Sequence, residues 1–348
     1  MADIAQKSPV AVCDLDVIAP QAHAWWRHKL GITGAWPAEN IPDALAYRFA
    51  SILVEDPEAL AAVRGRSCVY LANHQVGVES YLFSILMTGL GNSAAPVIAK
   101  VEHRNTWIGR IVTHNIAYPG AGDPDLMILV DRENPASVAR AFDELTHKMR
   151  TGNQSIVVHV DGTRATTCRQ PTTRLSPALI DMALAAEAPV VPVRFARGLP
   201  VDASPTRLEF PVGYGRQEYW VGRPIHPEQL RRLKYLERKD AVLAAINRLG
   251  PDVATEIPAA PDTAFGARVA DWVSRTGAEH EFAVIYVALT ELPKPNDTFR
   301  RLLDGARAGA LAIDADPASQ WLGKWARWLY GPRGPEVIGL RDTKEHAQ

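Results

Sequence analysis

From Ser67 onward, short apolar runs alternate with longer segments whose apolar residues recur at helical spacing. The short runs are Cys68–Leu71, Pro96–Ala99, Met127–Val130, Ser155–Val160 and Val190–Phe195. Their length and their β-branched content predict strands. Helices are predicted between them, at about 78–90, 135–151 and 175–187, with Asn134-Pro135 and then Ser137 forming a helix start. This alternation predicts an α/β fold in which helices pack around a central, mainly parallel sheet, with functional residues just beyond the carboxyl ends of strands. Residues 1–64 read as an N-terminal helical segment, from Trp25, Trp26, Leu30, Leu45, Phe49 and Leu53 at mixed helical spacing, broken near Pro37 and Pro42. The α/β domain is expected over 65–250. Pro251, Pro258 and Pro261 then mark a change of layer, and 251–348 is expected to be a mainly helical extension packed on the core, with helices near 263–276 and 298–312.

Composition narrows the function classes. The chain has 348 residues, 47% of them hydrophobic and 22% charged, with a formal net charge of −1. No global basic field draws in nucleic acid, so none is expected as a partner. Cys13, Cys68 and Cys168 are odd in number and far apart, which argues against a disulfide framework. No Cys-x-x-Cys or His-Glu-x-x-His pattern occurs, so neither a metal nor another cofactor is signalled. The first residues lack the order of a signal peptide, and the longest apolar run, Phe282–Leu289, falls far short of the roughly 20 residues needed to span a bilayer. The expected location is therefore the cytoplasm, with at most a peripheral contact on a membrane face. Two segments carry that membrane expectation: Trp321, Trp325 and Trp328 interleaved with Lys324 and Arg327, and Trp25-Trp26-Arg27-His28-Lys29. Each is either an interfacial helix or a stripe closing over the core, and core is the commoner use of aromatics at that spacing.

The candidate chemistry sits at the mouth of the first predicted strand. In Asn73-His74-Gln-Val-Gly77-Val-Glu79, a histidine and a carboxylate lie five positions apart. On one continuous helix that spacing would turn them about 140° from each other. His74 is therefore expected in the strand-to-helix turn and Glu79 in the first helical turn, with Gly77 letting the chain fold back. A carboxylate on one imidazole nitrogen fixes the tautomer and leaves the other nitrogen free to act as a general base near neutral pH. A histidine capping a helix would give the same local sequence. Cys68 reads as a packed strand residue, and Cys168 as an unpromising thiol in a polar loop. Ser80 lacks the Gly-x-Ser-x-Gly setting of a hydrolase nucleophile.

Taken as an ordered set, four segments resemble the lysophospholipid acyltransferase superfamily, to which the acylglycerol-phosphate acyltransferases belong. Asn73-His74, four residues and Glu79 resemble the first block, with Glu for the usual Asp. Lys100 and Arg132 follow the next two apolar runs. His159-Val160-Asp161-Gly162-Thr163-Arg164 resembles Phe-Pro-Glu-Gly-Thr-Arg, with His for Phe and Val-Asp for Pro-Glu. Val191-Pro192-Val193 resembles the fourth block, and Val221-Gly-Arg-Pro-Ile225 a downstream Gly-x-Pro-Ile segment. The resemblance covers about 66–228. It implies fatty acyl transfer from acyl-CoA or acyl carrier protein to a lysophospholipid hydroxyl, such as that of 1-acylglycerol-3-phosphate, without a cofactor. His74 would be the base and Glu79 its partner. Lys100, Arg132, Gly162, Thr163 and Arg164 would hold the acceptor's phosphate, with Asn73, Asp161, His159 and Pro192 as pocket candidates. For His159 a packed strand histidine is the alternative. Two other contexts stay open: an acyltransferase domain of a polyketide- or polyunsaturated-fatty-acid-synthase assembly line, and an inactive membrane-binding or scaffold protein of the same fold.

Overall fold

The computed structural model describes residues 10–34, 36–122, 127–131, 133–297, 299–300, 304 and 317–334. The chain divides into two compact units, one of residues 1–25, 49–103 and 125–260, the other of 26–48, 104–124 and 261–348.

The first unit holds a single eight-stranded sheet. Its strands are β1 (Ala11–Cys13), β2 (Ala50–Val54), β3 (Val69–Ala72), β4 (Val97–Lys100), β5 (Met127–Val130), β6 (Ile156–His159), β7 (Val190–Ala196) and β8 (Gln217–Val221). They are ordered β1-β2-β8-β7-β3-β6-β4-β5. The block β7-β3-β6-β4-β5 is parallel throughout, while β8 runs antiparallel to β7 and β1 antiparallel to β2. The mainly parallel α/β fold expected from the alternation is thus the fold observed. Strands β3, β6 and β7 are buried along their whole length, as a parallel sheet covered on both faces requires. Leu145, Met149, Leu179, Ile180, Met182 and Ile246, from the helices Pro135–Thr151, Pro177–Ala185 and Tyr235–Arg248, pack over Val69, Leu71, Ile156 and Val190 of the sheet.

β3 lies at the centre, where the chain changes direction through the sheet: it leaves toward β4 and β5, returns to β6, then crosses to β7. Ala72 is level with His159 on one side and with Val193 on the other. The loops leaving β3 and β6 therefore emerge side by side at a topological switch point, the usual location of a site in such a sheet.

The first 64 residues are not a purely helical segment, and this corrects the expectation. They contain helices Leu15–Leu30 and Asn40–Phe49, but also β1 and β2. The helical spacing of Leu45 and Phe49 holds up to Phe49. After that Ala50-Ser-Ile-Leu-Val54 alternates buried and half-buried residues and pairs with β8. A five-residue run is too short for periodicity to separate strand from helix.

In the second unit, the helices Thr263–Thr276, His280–Glu291 and Pro317–Tyr330 gather their aromatic residues into a core. Trp272 stacks on Tyr286 at 3.9 Å, and Phe282 on Trp328 at 5.0 Å. His114 is sandwiched against Trp321, with Trp321 Nε1 donating to the His114 carbonyl and His114 Nε2 bonded to the Trp321 carbonyl. Trp321 and Trp325 are buried, as is Trp26, so the tryptophan stripe closes a core. Most of the expected helix near 298–312 lies outside the described residues. No helix among the described residues is long and apolar enough to cross a membrane. Trp325→Ala is expected to cost about 3–5 kcal/mol of stability while leaving liposome co-sedimentation unchanged, which thermal unfolding and a pelleting assay would check together.

Candidate active site

β3 ends at Ala72 and the helix Glu79–Gly91 begins at Glu79, so His74 sits in the intervening turn and Glu79 at the first helical position. In that arrangement His74 Nδ1 lies 2.9 Å from Glu79 Oε2. The carboxylate is fully buried and is held from several sides. Oε2 accepts from the Gln75 backbone N–H at 2.9 Å, and Oε1 from the Val76 N–H at 3.0 Å and from Gln217 Nε2 at 2.6 Å. Four N–H donors, counting the imidazole, offset the cost of burying the charge. Burial nevertheless dominates, pushing Glu79 up to about 7. Burial also holds His74 well below its ordinary value, helped by the positive charge of Arg164 and by His103. The imidazole is thus neutral at physiological pH, with Nδ1–H toward Glu79 and Nε2 left to accept a proton.

His159, at the end of β6, stacks on His74 with ring centroids 3.8 Å apart and planes 18° apart. Its Nδ1 bonds the Asn73 carbonyl at 2.8 Å, and Ser80 Oγ lies 3.2 Å from its Nε2. Burial, with neighbouring His74, lowers His159 to about 3. His159 is thus a packed strand-end histidine whose ring lies flat against the candidate base. Asn73, a pocket candidate from its motif position, ties the turn after β3 to β7. Its Nδ2 donates to the Phe195 carbonyl and its Oδ1 accepts from the Phe195 N–H, at 2.8 and 2.7 Å.

His74, Glu79 and His159 are also the cluster, among the described residues, with the side-chain types to hold a metal ion, their ligand atoms lying within 4.8 Å of one another. Ligation uses in-plane lone pairs that converge on one point. Two face-stacked imidazoles direct theirs along nearly parallel planes, and the nitrogens that face protein groups are engaged with Glu79, Asn73 and Ser80. The arrangement is better suited to proton transfer than to ion binding.

The third motif segment meets the first directly. Ala165 N–H donates to the His74 carbonyl at 2.8 Å and Val160 N–H to the Ala72 carbonyl at 2.8 Å. Gly162, at φ +69°, makes the left-handed turn that an L side chain would strain. Arg164 is thereby brought beside the histidine, but it is not an open cation: its Nη1 donates to Glu209 Oε1 at 2.6 Å and to the Leu208 carbonyl at 2.7 Å. Asp161 turns away to accept from the Thr173 and Arg174 N–H groups, both at 3.3 Å, bracing the following loop. Thr163 is exposed. Pro192 is buried, and its Cγ would lie 2.9 Å from a Cβ placed on Gly222. Lys100 ends β4, where its charge reaches His103. Arg132 lies outside the described residues.

The site also contains residues that the sequence left unremarked. Gln217 on β8, Gln75, and the buried pair Arg194–Glu256 support the turn from behind. Gln75 Oε1 accepts from Gln217 Nε2 and from the Gly198 N–H, each at 3.0 Å, and its Nε2 donates to Glu256 at 3.3 Å. Arg194 bonds Glu256 and the carbonyls of Asn247, Leu249 and Pro251. Only the partial alternation of β8 hinted at an inward Gln217. Gly77, whose backbone is not left-handed, also has a use beyond the fold-back expected of it. A Cβ there would come within 2.1 Å of Glu209 Oε2, so glycine makes room for that carboxylate. Neither thiol is a candidate nucleophile. Burial pushes Cys68 up to about 12, and it also raises Cys168, whose Sγ lies against the Glu256 carbonyl.

Residues 51–196 match the family model described as Acyltransferase. The matched segment spans less than half of the chain, and it contains the four motif segments that carry the resemblance to lysophospholipid acyltransferases. Among solved structures, the chain is similar to the 1-acyl-sn-glycerophosphate (LPA) acyltransferase PlsC from Thermotoga maritima. The two are 19% identical over 56% of this chain and 70% of that one, with a TM-score of 0.36. A search among curated proteins returns no match.

Proposed function

We propose that this domain transfers a fatty acyl group from a thioester, acyl-CoA or acyl carrier protein, to the hydroxyl of a lipid acceptor, with His74 as general base. What carries the proposal is the neutral imidazole held at 2.9 Å by a fully buried carboxylate. Nε2 takes the hydroxyl proton as the oxygen attacks the thioester carbonyl, and Glu79 stabilises the imidazolium that forms. The proton then leaves with the thiolate, so no acyl-enzyme is needed. The extra methylene of Glu79 over the usual Asp is accommodated by its position at the very start of the helix. For the acceptor, the hydroxyl is the part the chemistry requires. The resemblance points to lysophospholipids, with Lys100, Arg132, Gly162, Thr163 and Arg164 at the positions that match the family's headgroup-binding residues. Any membrane contact would serve the same lipid supply.

A test with a definite sign follows from the two ionisations. The base must be neutral, and His74 remains so well below pH 6.5. Its partner must be ionised, and Glu79 takes up a proton as pH falls through about 7. Acyl transfer should therefore decline on the acid side of about pH 7, with the pair titrating as one unit. Glu79→Gln should abolish that limb and lower the rate roughly 100-fold or more. An acid limb near pH 4, or one unchanged in the variant, would refute the pairing. Competition between acyl-CoA and acyl-carrier thioesters in the same assay would identify the donor.

A further inference from the structure

We propose that Glu209 is a specificity-determining residue: it pairs with Nη1 of the Arg164 guanidinium that the motif would offer to a phosphate, and so selects an uncharged hydroxylic acceptor over a phosphomonoester. The inference rests on the acyl-transfer reading and deepens it by naming the class of acceptor.

The carboxylate is built into the site. Gly77 N–H donates to the Leu208 carbonyl at 3.0 Å, and Val78 N–H to the Glu209 carbonyl at 2.8 Å. The segment 208–209 is thereby laid along the turn that carries His74 and Glu79. The side chain of Glu209 then rests over Gly77, where any Cβ would collide with Oε2 at 2.1 Å and crowd Arg164 Nη1 at 3.0 Å. From there Oε1 reaches Arg164 Nη1 at 2.6 Å. Sequence and backbone together reserve a space whose occupant is an anion. The pair is also reachable, its side chains 20% and 28% exposed, unlike the sealed Arg194–Glu256 pair. It lies beside the base, since Arg164 acts electrostatically on both His74 and His103, and Glu209 on His103. A phosphomonoester carries between one and two negative charges at neutral pH. At this spot it would have to displace a carboxylate anchored through its own backbone, or sit next to it as a like charge. An acceptor with only hydroxyls and ester oxygens meets neither penalty.

The test compares monoacylglycerol with lysophosphatidate of the same acyl chain, using the full chain and its Glu209→Gln and Glu209→Ala variants. The wild type should favour monoacylglycerol by roughly tenfold or more in kcat/KM, and both variants should lower KM for lysophosphatidate by about tenfold. Calorimetric titration with glycerol 3-phosphate supplies a readout independent of turnover. Affinity should rise about tenfold in Glu209→Gln and fall back when Arg164→Gln is added, in proteins whose melting confirms that they are folded. A wild type that prefers lysophosphatidate, or variants that bind glycerol 3-phosphate no more tightly, would overturn the assignment. If neither acceptor is acylated, the acyl-transfer reading fails, and the titration alone then decides whether Glu209 guards Arg164.

Discussion

His74→Ala is expected to lower acyl transfer by about 10²–10⁴-fold while leaving the fold intact. The side chain is only 14% exposed, and among the described residues its hydrogen-bond partner is Glu79. Removing it takes away the atom that accepts the hydroxyl proton, whereas Glu79 keeps its Gln75, Val76 and Gln217 donors. The loss should therefore appear chiefly in kcat, with the melting temperature lowered only by the lost stacking on His159 and the lost bond to Glu79. His74→Gln should be no better, because an amide restores the hydrogen bond to Glu79 without the basicity. Acceptor-dependent thioester cleavage, followed by release of free thiol, measures this directly. A variant that retains the wild-type rate would eliminate His74 as the base and move the search to another group.

The second large effect concerns stability. Arg194 and Glu256 are both almost wholly shielded from water, and the guanidinium also holds the carbonyl of Asn247 in the last turn of the helix Tyr235–Arg248 and those of Leu249 and Pro251 just past it. Arg194→Met is expected to destabilise the protein by about 3–5 kcal/mol, because it strands a buried carboxylate and three carbonyls at once. Burial already raises Glu256 above the usual carboxylate range, so part of that cost would be relieved by its protonation. Arg194→Lys should be nearly as harmful, since a point charge cannot reproduce the forked geometry. Adding Glu256→Gln to Arg194→Met should recover part of the loss, giving a non-additive double-mutant cycle in urea unfolding. Simple additivity would mean that the two side chains do not act as a pair. The Arg197 N–H and Gln75 both bond Glu256, so a partial loss of transfer activity should accompany the destabilisation.

Much of the fold could be read from apolar runs, because a strand buried on both faces has few residue types available to it. Met127–Val130 and the helix Pro135–Thr151 lie where expected, and β3, β4, β6 and β7 begin or end within about a residue of their expected limits. Less was legible at the edges. β2 was hidden by an apolar spacing compatible with a helix, and β8 carries Gln217 and Glu218 in a run that is polar until it is paired.

At the site, the spacing of His74 and Glu79, the Gly162 turn and the candidacy of Arg164 were fixed locally, because each depends on a few consecutive residues adopting a tight turn. The chain order of the motif segments likewise implied that their loops would emerge from one sheet. Contacts across long separations were decided by the tertiary structure alone. Stacking of His159 on His74 depends on the register of β3 with β6, and Gln217 reaches Glu79 from a strand more than a hundred residues away. Glu209 reaches Arg164 only because a loop of otherwise ordinary composition docks on Gly77. A sequence can display the groups a reaction needs, but which charges neutralise one another depends on distances of a few ångströms, and those exist only once the sheet has brought its loops together.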